Sequence, residues 1–400
     1  MQVFFIITIG FCVLYFLLPR KWEWVSFAAL VLALAVMAYN CVPAETDDLA
    51  RYYNRIEQMR GQDISVLHDF IDRGVDNWDA TPLVGYYFFL ISRFDSNNWL
   101  PAITIFLVYG IMYFMLYRSA QIYKVNKGYL FLGAMFILTT YWFYDVCSGV
   151  RNGIAFAFVL LGVYFYFFET KFKRPFAFLL YAGCCIAGCL MHTAAVLPLA
   201  LSLYAVITKN IESKYLNWIV LFALPIGGFA ISVLSEVSDS EFFDLVAEKS
   251  ERALGYGFIA SGMTTGIVNL VVMLVSALIV YYCYYYFKTY DSFNKIRPFQ
   301  KFVTVLLLFM IGTLNSALIF ARFARFILPP VIAIVLMIGM QMQKDKMDQG
   351  VDLSVFSDLP YSEKIRMKNR LAITLFVSAF LAVHYWYDLY GSSLVFLHFE

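Results

Sequence analysis

Charge is the scarcest thing in this sequence. Of 400 residues only 14% are Asp, Glu, Lys or Arg, while 62% are hydrophobic, and the mean hydropathy is +0.70. A soluble domain would carry about a quarter of its residues charged, so a water-soluble globular protein is excluded. A net charge of +2 offers no basic surface for nucleic acid. There is no Walker-type phosphate loop and no GxGxxG, so neither ATP hydrolysis nor dinucleotide binding has a motif to rest on. CxxC pairs and Cys/His clusters at metal spacing are also missing, and neither a metal nor any other cofactor is expected. The strict apolar alternation of a transmembrane barrel does not occur. No basic segment precedes the first apolar stretch and no small-residue cleavage site follows it, which reads as a retained span and not a signal peptide. Five of the seven cysteines sit inside apolar stretches as small core residues. Only Cys41 and Cys147 fall at membrane edges on one side, where a disulfide between them is open.

What is present is apolar length. Blocks long enough for a helix to cross ~30 Å of hydrocarbon fall at 2–18, 22–39, 99–117, 129–147, 150–168, 176–191, 193–208, 216–235, 263–287, 302–319, 324–341 and 371–387. A helix satisfies its own backbone hydrogen bonds in lipid. The expected fold is therefore all-α: a polytopic transmembrane helical bundle of about 12 spans, residues 1–400 forming one integral membrane domain. The shorter run 81–94 is expected to be re-entrant or interfacial.

Lys and Arg mark the cytoplasmic side of a membrane protein, and they decide this topology. If 81–94 does not cross, one face collects 20 of the 30 basic residues, 14 of them Lys, and both termini lie outside. The opposite face keeps ten, nine of them Arg. Orientation needs only positive charge, whereas Arg offers a planar fork that grips phosphate or carboxylate and stays ionised when partly buried. An Arg-marked outer face suits an anion. That face carries the long loop 40–98, with amphipathic and re-entrant segments, and the acidic loop 236–262. The main cytoplasmic loop is 342–370.

Four constellations reach the outer face. After the second span, Thr46 is placed to cap a helix whose first turn holds Asp47 and Asp48, with Asp47 four residues before Arg51 and Asp48, Arg51 and Arg55 on one face. Asp145 to Ala155 forms a tight turn in which Arg151 opens a span between flanking glycines. His192-Thr193-Ala194 heads another span, and an imidazole with a pKa near 6.5 is suited to proton transfer or phosphate contact. Finally Asn315-Ser316 precede Arg322 and Arg325, two like charges on one helical face ended by Pro329-Pro330. Ionisable residues at the edge of a span are functional candidates by default. Each also has a plainer reading: a solvated surface helix, an arginine snorkelling to head groups or a structural histidine.

In this order, the Tyr-bearing acidic segment Thr46 to Tyr53, Arg151-Asn-Gly-Ile-Ala155, His192-Thr-Ala-Ala195 and Arg322/Arg325, the chain resembles the EpsG family of exopolysaccharide polymerases, relatives of the Wzy O-antigen polymerases. Where such proteins commonly have Gly-x-Asp-x-x-x-Tyr, this chain has Glu45-Thr46-Asp47. The resemblance implies a GT-C-like fold and a metal-independent polymerase in the bacterial inner membrane, its active site facing the periplasm or cell exterior. Such an enzyme transfers a glycan from undecaprenyl pyrophosphate to a lipid-linked repeat unit. Its partners would be those undecaprenyl-pyrophosphate-linked oligosaccharides, the lipid bilayer and a chain-length regulator. The resemblance further implies Arg151, Arg322, Arg325 and Arg51 as pyrophosphate ligands, with His192, Asp48 or Asp47 taking the acceptor proton. Tyr52 and Trp142 are expected to stack on sugars. A lipid-linked oligosaccharide flippase, an O-antigen ligase and a membrane acyltransferase are the alternatives.

Overall fold

The computed structural model describes residues 2–43, 45, 47–169, 171–208, 263–289, 293–314, 316–350 and 361–390, with short pieces at 211, 215, 218–222 and 398–399. Outside these lie Thr46, Asn315, all but five residues of the span 216–235, the acidic loop 236–262 and residues 351–360 of the cytoplasmic loop.

The chain is a helical bundle. In order come α1 (Gln2–Leu17), α2 (Glu23–Tyr39), α3 (Asp48–Met59), α4 (Ile64–Asp72), α5 (Pro82–Ile91) and α6 (Trp99–Ile122). They are followed by α7 (Lys127–Thr140), α8 (Phe143–Ser148), α9 (Val150–Phe167), α10 (Arg174–Met191) and α11 (Val196–Thr208). The second half adds α12 (Met263–Thr289), α13 (Phe293–Gly312), α14 (Ala317–Arg322), α15 (Leu328–Gly350) and α16 (Tyr361–Tyr390). Among the described residues, strand pairing is limited to Cys41–Val42 against His398–Phe399. The same loop brings the free, buried Cys41 and Cys147 into thiol–thiol contact.

Among the described residues, six helical stretches are long and apolar enough to cross a membrane: 20–39, 99–122, 150–167, 174–191, 266–284 and 318–345. Five shorter apolar helices accompany them. The expected run 81–94 appears as α5, whose 10 residues span about 15 Å at the α-helical rise, half the hydrocarbon thickness. The expected span 129–147 is broken in two. Tyr141 leaves the helix with extended backbone, its carbonyl taken at 2.6 Å by the buried hydroxyl of Tyr109, and α8 starts afresh.

The bundle has two chemically distinct ends. At one, Lys127 Nζ donates to the last carbonyls of α1, 2.6 Å from Leu18 O, as a cation does well at a helix C-terminus. Arg20 reaches Val125 O at 2.8 Å, and Arg118 pairs with Glu169 at 3.0 Å. The opposite end gathers α3, α8, the start of α9 and the turn after α10. Through the middle runs the stretch 318–345, almost wholly buried. Here the prolines do not end the helix as expected. Pro329 and Pro330 cannot donate to the carbonyls of Arg325 and Phe326, and the chain absorbs the loss as a π-turn over Phe323–Ile327 before α15 continues.

α9 and α10 pack backbone to backbone. A Cβ on Gly188 would lie 2.7 Å from Ala155 O and 2.9 Å from Val159. The Gly188→Val variant is expected to wedge the pair apart and cost about 1–3 kcal/mol, the usual penalty of overpacking. Thermal unfolding in detergent would report it as a lowered Tm.

Candidate functional site

α3 exists because its apolar residues recur at helical spacing: Leu49, Tyr52, Ile56 and Met59 are buried and the polar face is turned away from the bundle. Its N-cap is Asp47, one residue later than expected. A residue at that position lies outside the helical ladder, and the Asp47 carboxylate points across to α8, where it accepts a hydrogen bond from Tyr144 Oη. Asp48, already in the helix, is the residue that pairs with Arg51, at 3.0 Å. The expected Asp47–Arg51 pair is replaced by these two contacts.

The loop 74–77 is the local surprise. Gly74, Asp76 and Asn77 all have positive φ, 62°, 51° and 61°, a conformation Asp and Asn tolerate better than most residues and one that marks functional sites when enforced by surroundings. It turns the Asp76 carboxylate to Arg55 Nε at 2.9 Å and the Asp76 carbonyl to Arg151 Nη1 at 3.2 Å.

Arg151 is the second residue of α9. The corner before it needs a glycine, because a Cβ on Gly149 would sit 2.5 Å from Asp145 O. From there the Arg151 guanidinium lies over the Tyr52 ring, 5.7 Å from its centroid, while its Nε is shut away with no acceptor. Arg322, at the end of α14, is close enough to feel the like charge of Arg151 and the opposite charge of Asp48. Among the described residues neither arginine has a carboxylate within ion-pair distance. Two half-buried cations thus lie within reach of each other's charge.

His192 completes the group. It breaks α10 with extended backbone, and its Nδ1 accepts from the Ala194 N–H at 3.0 Å. Burial first, then the charges of Arg322 and Arg151, push its pKa down to about 3. With Nδ1 an acceptor, the proton of the neutral ring resides on Nε2. His192 is therefore arranged as a hydrogen-bond donor.

Arg325 belongs to a separate assembly. Its Nη1 donates to Asp145 Oδ1 and lies 3.1 Å from both carboxylate oxygens, and its guanidinium covers the Trp142 ring at 4.6 Å. The π-turn accounts for the separation, since it rotates Arg325 off the α-helical position that would align it with Arg322. Neither aromatic has a free face for a sugar. Tyr52 is 3% exposed, with Phe88 at 5.0 Å and Arg51 and Arg151 over it; Trp142 is 8% exposed under Arg325. Arg51 stays at the periphery, half exposed and held by Asp48.

Arg151, Arg322 and His192 therefore act on one another's charge, with Tyr52 as the floor and Asp48, half exposed beside Arg51, at the edge. Asp47 and Arg325 lie beside them with their own partners. Asp76 and Tyr144 were not singled out in the sequence, although Gly74-Val-Asp-Asn77 is a run suited to left-handed turns.

The EpsG family model matches residues 24–356, which spans every residue of this group. No curated protein and no solved structure matches the chain.

Proposed function

Because the chain belongs to the EpsG family, we propose that it is a membrane polysaccharide polymerase. The donor is a glycan on a polyprenyl pyrophosphate of the undecaprenyl type, and the acceptor is a sugar hydroxyl of a second lipid-linked repeat unit. The observation that carries this reading is the pair Arg151 and Arg322, within reach of each other's charge beside His192, with no carboxylate in ion-pair distance of either among the described residues. Buried like charges left together are costly, and a pyrophosphate would satisfy both at once. A relation to the Wzy polymerases is consistent with the family, and a GT-C-like arrangement and a place in the bacterial cytoplasmic membrane with this end outward belong to the same proposal.

In the reaction, the acceptor oxygen forms a bond to the anomeric carbon as the bond from that carbon to the pyrophosphate oxygen breaks. Negative charge grows on the leaving group. Arg151 and Arg322 stabilise it as fixed cations, the part a metal ion plays in other transferases, and His192 Nε2–H donates to a phosphate oxygen. Asp48 takes the acceptor proton, and Arg51 holds that carboxylate in place. Asp47 is occupied by Tyr144 and is assigned no proton transfer. Arg325 keeps the α8 corner in place through Asp145.

The test is deletion of the gene followed by glycan analysis. Single lipid-linked repeat units accumulating on the outer leaflet are the expected result. Accumulation on the inner leaflet would point to a flippase, and full-length polymer left unattached to its final acceptor would point to a ligase.

A pH expectation follows from the imidazole. A group that protonates only near pH 3 in the substrate-free protein stays neutral there from pH 5 to 8, so kcat/KM, which reports the free enzyme, should show no step from His192 in that window. His192→Gln, which keeps an N–H donor, should leave the shape of the profile unaltered, whereas His192→Ala should lower the rate throughout. A step near pH 6.5 that vanishes in the Gln variant would overturn the donor assignment.

A further inference from the structure

At the Lys-rich end, far along α2 from the arginine site, is a cavity of about 550 Å³. Arg20, Lys21 and Glu23 line it together with Tyr117 and Gln121 of α6. Glu23 is the unusual member. It is 3% exposed, and its Oε1 has no hydrogen-bond partner. Arg20 and Lys127 are near enough to act on its charge, yet neither forms an ion pair with it among the described residues. Lys127 is turned to the α1 carbonyls and Arg20 spends Nη2 on Val125 O. A buried carboxylate without a donor is costly, and its position on a cavity wall invites a cation from outside the protein.

Tyr117 also lines a second cavity, of about 460 Å³, which continues up the α2/α6 groove over Trp24, Phe27, Val31 and Phe106. That trough is apolar and lies on helices long enough to span the bilayer. A charged chamber and an apolar trough that meet at Tyr117 have the shape of a lipid site. Exposed Lys21 and the free donors of Arg20 suit a phosphate, while Glu23 beside them suits an amine.

We propose that this groove binds a membrane aminophospholipid of the phosphatidylethanolamine kind. The phosphodiester sits against Arg20 and Lys21, the ammonium donates to Glu23, and one acyl chain lies in the α2/α6 trough. The acid is what selects the head group. A cavity with Arg20 and Lys21 alone would prefer an anionic lipid. The site does not depend on the polymerase reading, since it shares no residue with the arginine group.

The test is titration of the detergent-purified full chain with dioleoyl phosphatidylethanolamine and dioleoyl phosphatidylglycerol, bound lipid being counted by native mass spectrometry. Wild type should retain the ethanolamine lipid in preference. Glu23→Gln should weaken it roughly tenfold, the worth of one charge-assisted hydrogen bond, and leave phosphatidylglycerol equal or favoured. Lys21→Ala, at an exposed position, should weaken both lipids. Should wild type bind both lipids alike, or Glu23→Gln keep the preference, the proposal falls.

Discussion

Arg322→Ala is expected to abolish polymer while leaving the protein at least as stable as wild type. The two halves of that result come from one geometry. Arg322 feels the like charge of Arg151 at the end of α14 with no carboxylate within ion-pair distance among the described residues, and Asp48 and Tyr52 favour its charge from farther off. Removing it relieves repulsion in a medium where unlike partners are few, so Tm should hold or rise. The loss of a fixed cation from the position where leaving-group charge develops should cost roughly 10²–10³ in turnover. Arg322→Lys restores charge without the two-pronged fork and should recover part of the rate. Arg151→Ala should behave in the same way for activity. Because Arg151 also holds the Asp76 carbonyl, that variant should loosen the 74–77 loop as well. Polymer length on gels and thermal unfolding in detergent read the two effects separately. An Arg322→Ala protein that polymerises normally would remove the observation on which the functional reading rests.

Much of this end of the molecule was legible because charge is rare in the sequence. In a chain with so few ionisable residues, each Arg that sits at a span edge carries information, and the topology set by the basic residues puts Arg151 and Arg322 on one face, together with the turns that carry His192 and Asp48. What the sequence could not carry was rotation about a helix axis. Spacing puts Arg322 and Arg325 on one face of an ideal α-helix, but Pro329 and Pro330 remove two donors downstream and the π-turn between them sends Arg325 to Asp145 instead. The same holds for Asp47 and Asp48, whose partners differ because one residue of offset in a helix start exchanges a cap position for a helical one. Aromatic burial was equally hidden: Tyr52 and Trp142 are plausible sugar platforms by type, and only packing reveals that arginines already cover them. The divided span 129–147 breaks where the Tyr109 hydroxyl takes the Tyr141 carbonyl, 32 residues away, a contact no hydropathy pattern carries.

Asp145→Ala is expected to be the most destabilising single change at this end, and its rescue separates architecture from chemistry. The Asp145 carboxylate is buried, and burial raises its pKa against the opposing pull of Arg325. Side-chain exposures of 14% and 21% for Asp145 and Arg325 leave little water to replace a missing partner. Truncating the acid strands the guanidinium over Trp142 with no counter-ion, an arrangement that costs about 3–5 kcal/mol. The α8–α9 corner, and with it the start of α9 that aims Arg151, should loosen, so activity should fall along with Tm. If the pair serves only to hold that corner, replacing both charges by apolar groups of similar volume should be far milder than removing one, as buried ion pairs elsewhere tolerate such replacement. The double variant Asp145→Leu with Arg325→Met should therefore regain most of the lost Tm and most of the polymer. Recovery of Tm without polymer would mean that Arg325 also meets the substrate, returning it to the pyrophosphate clamp alongside Arg151 and Arg322.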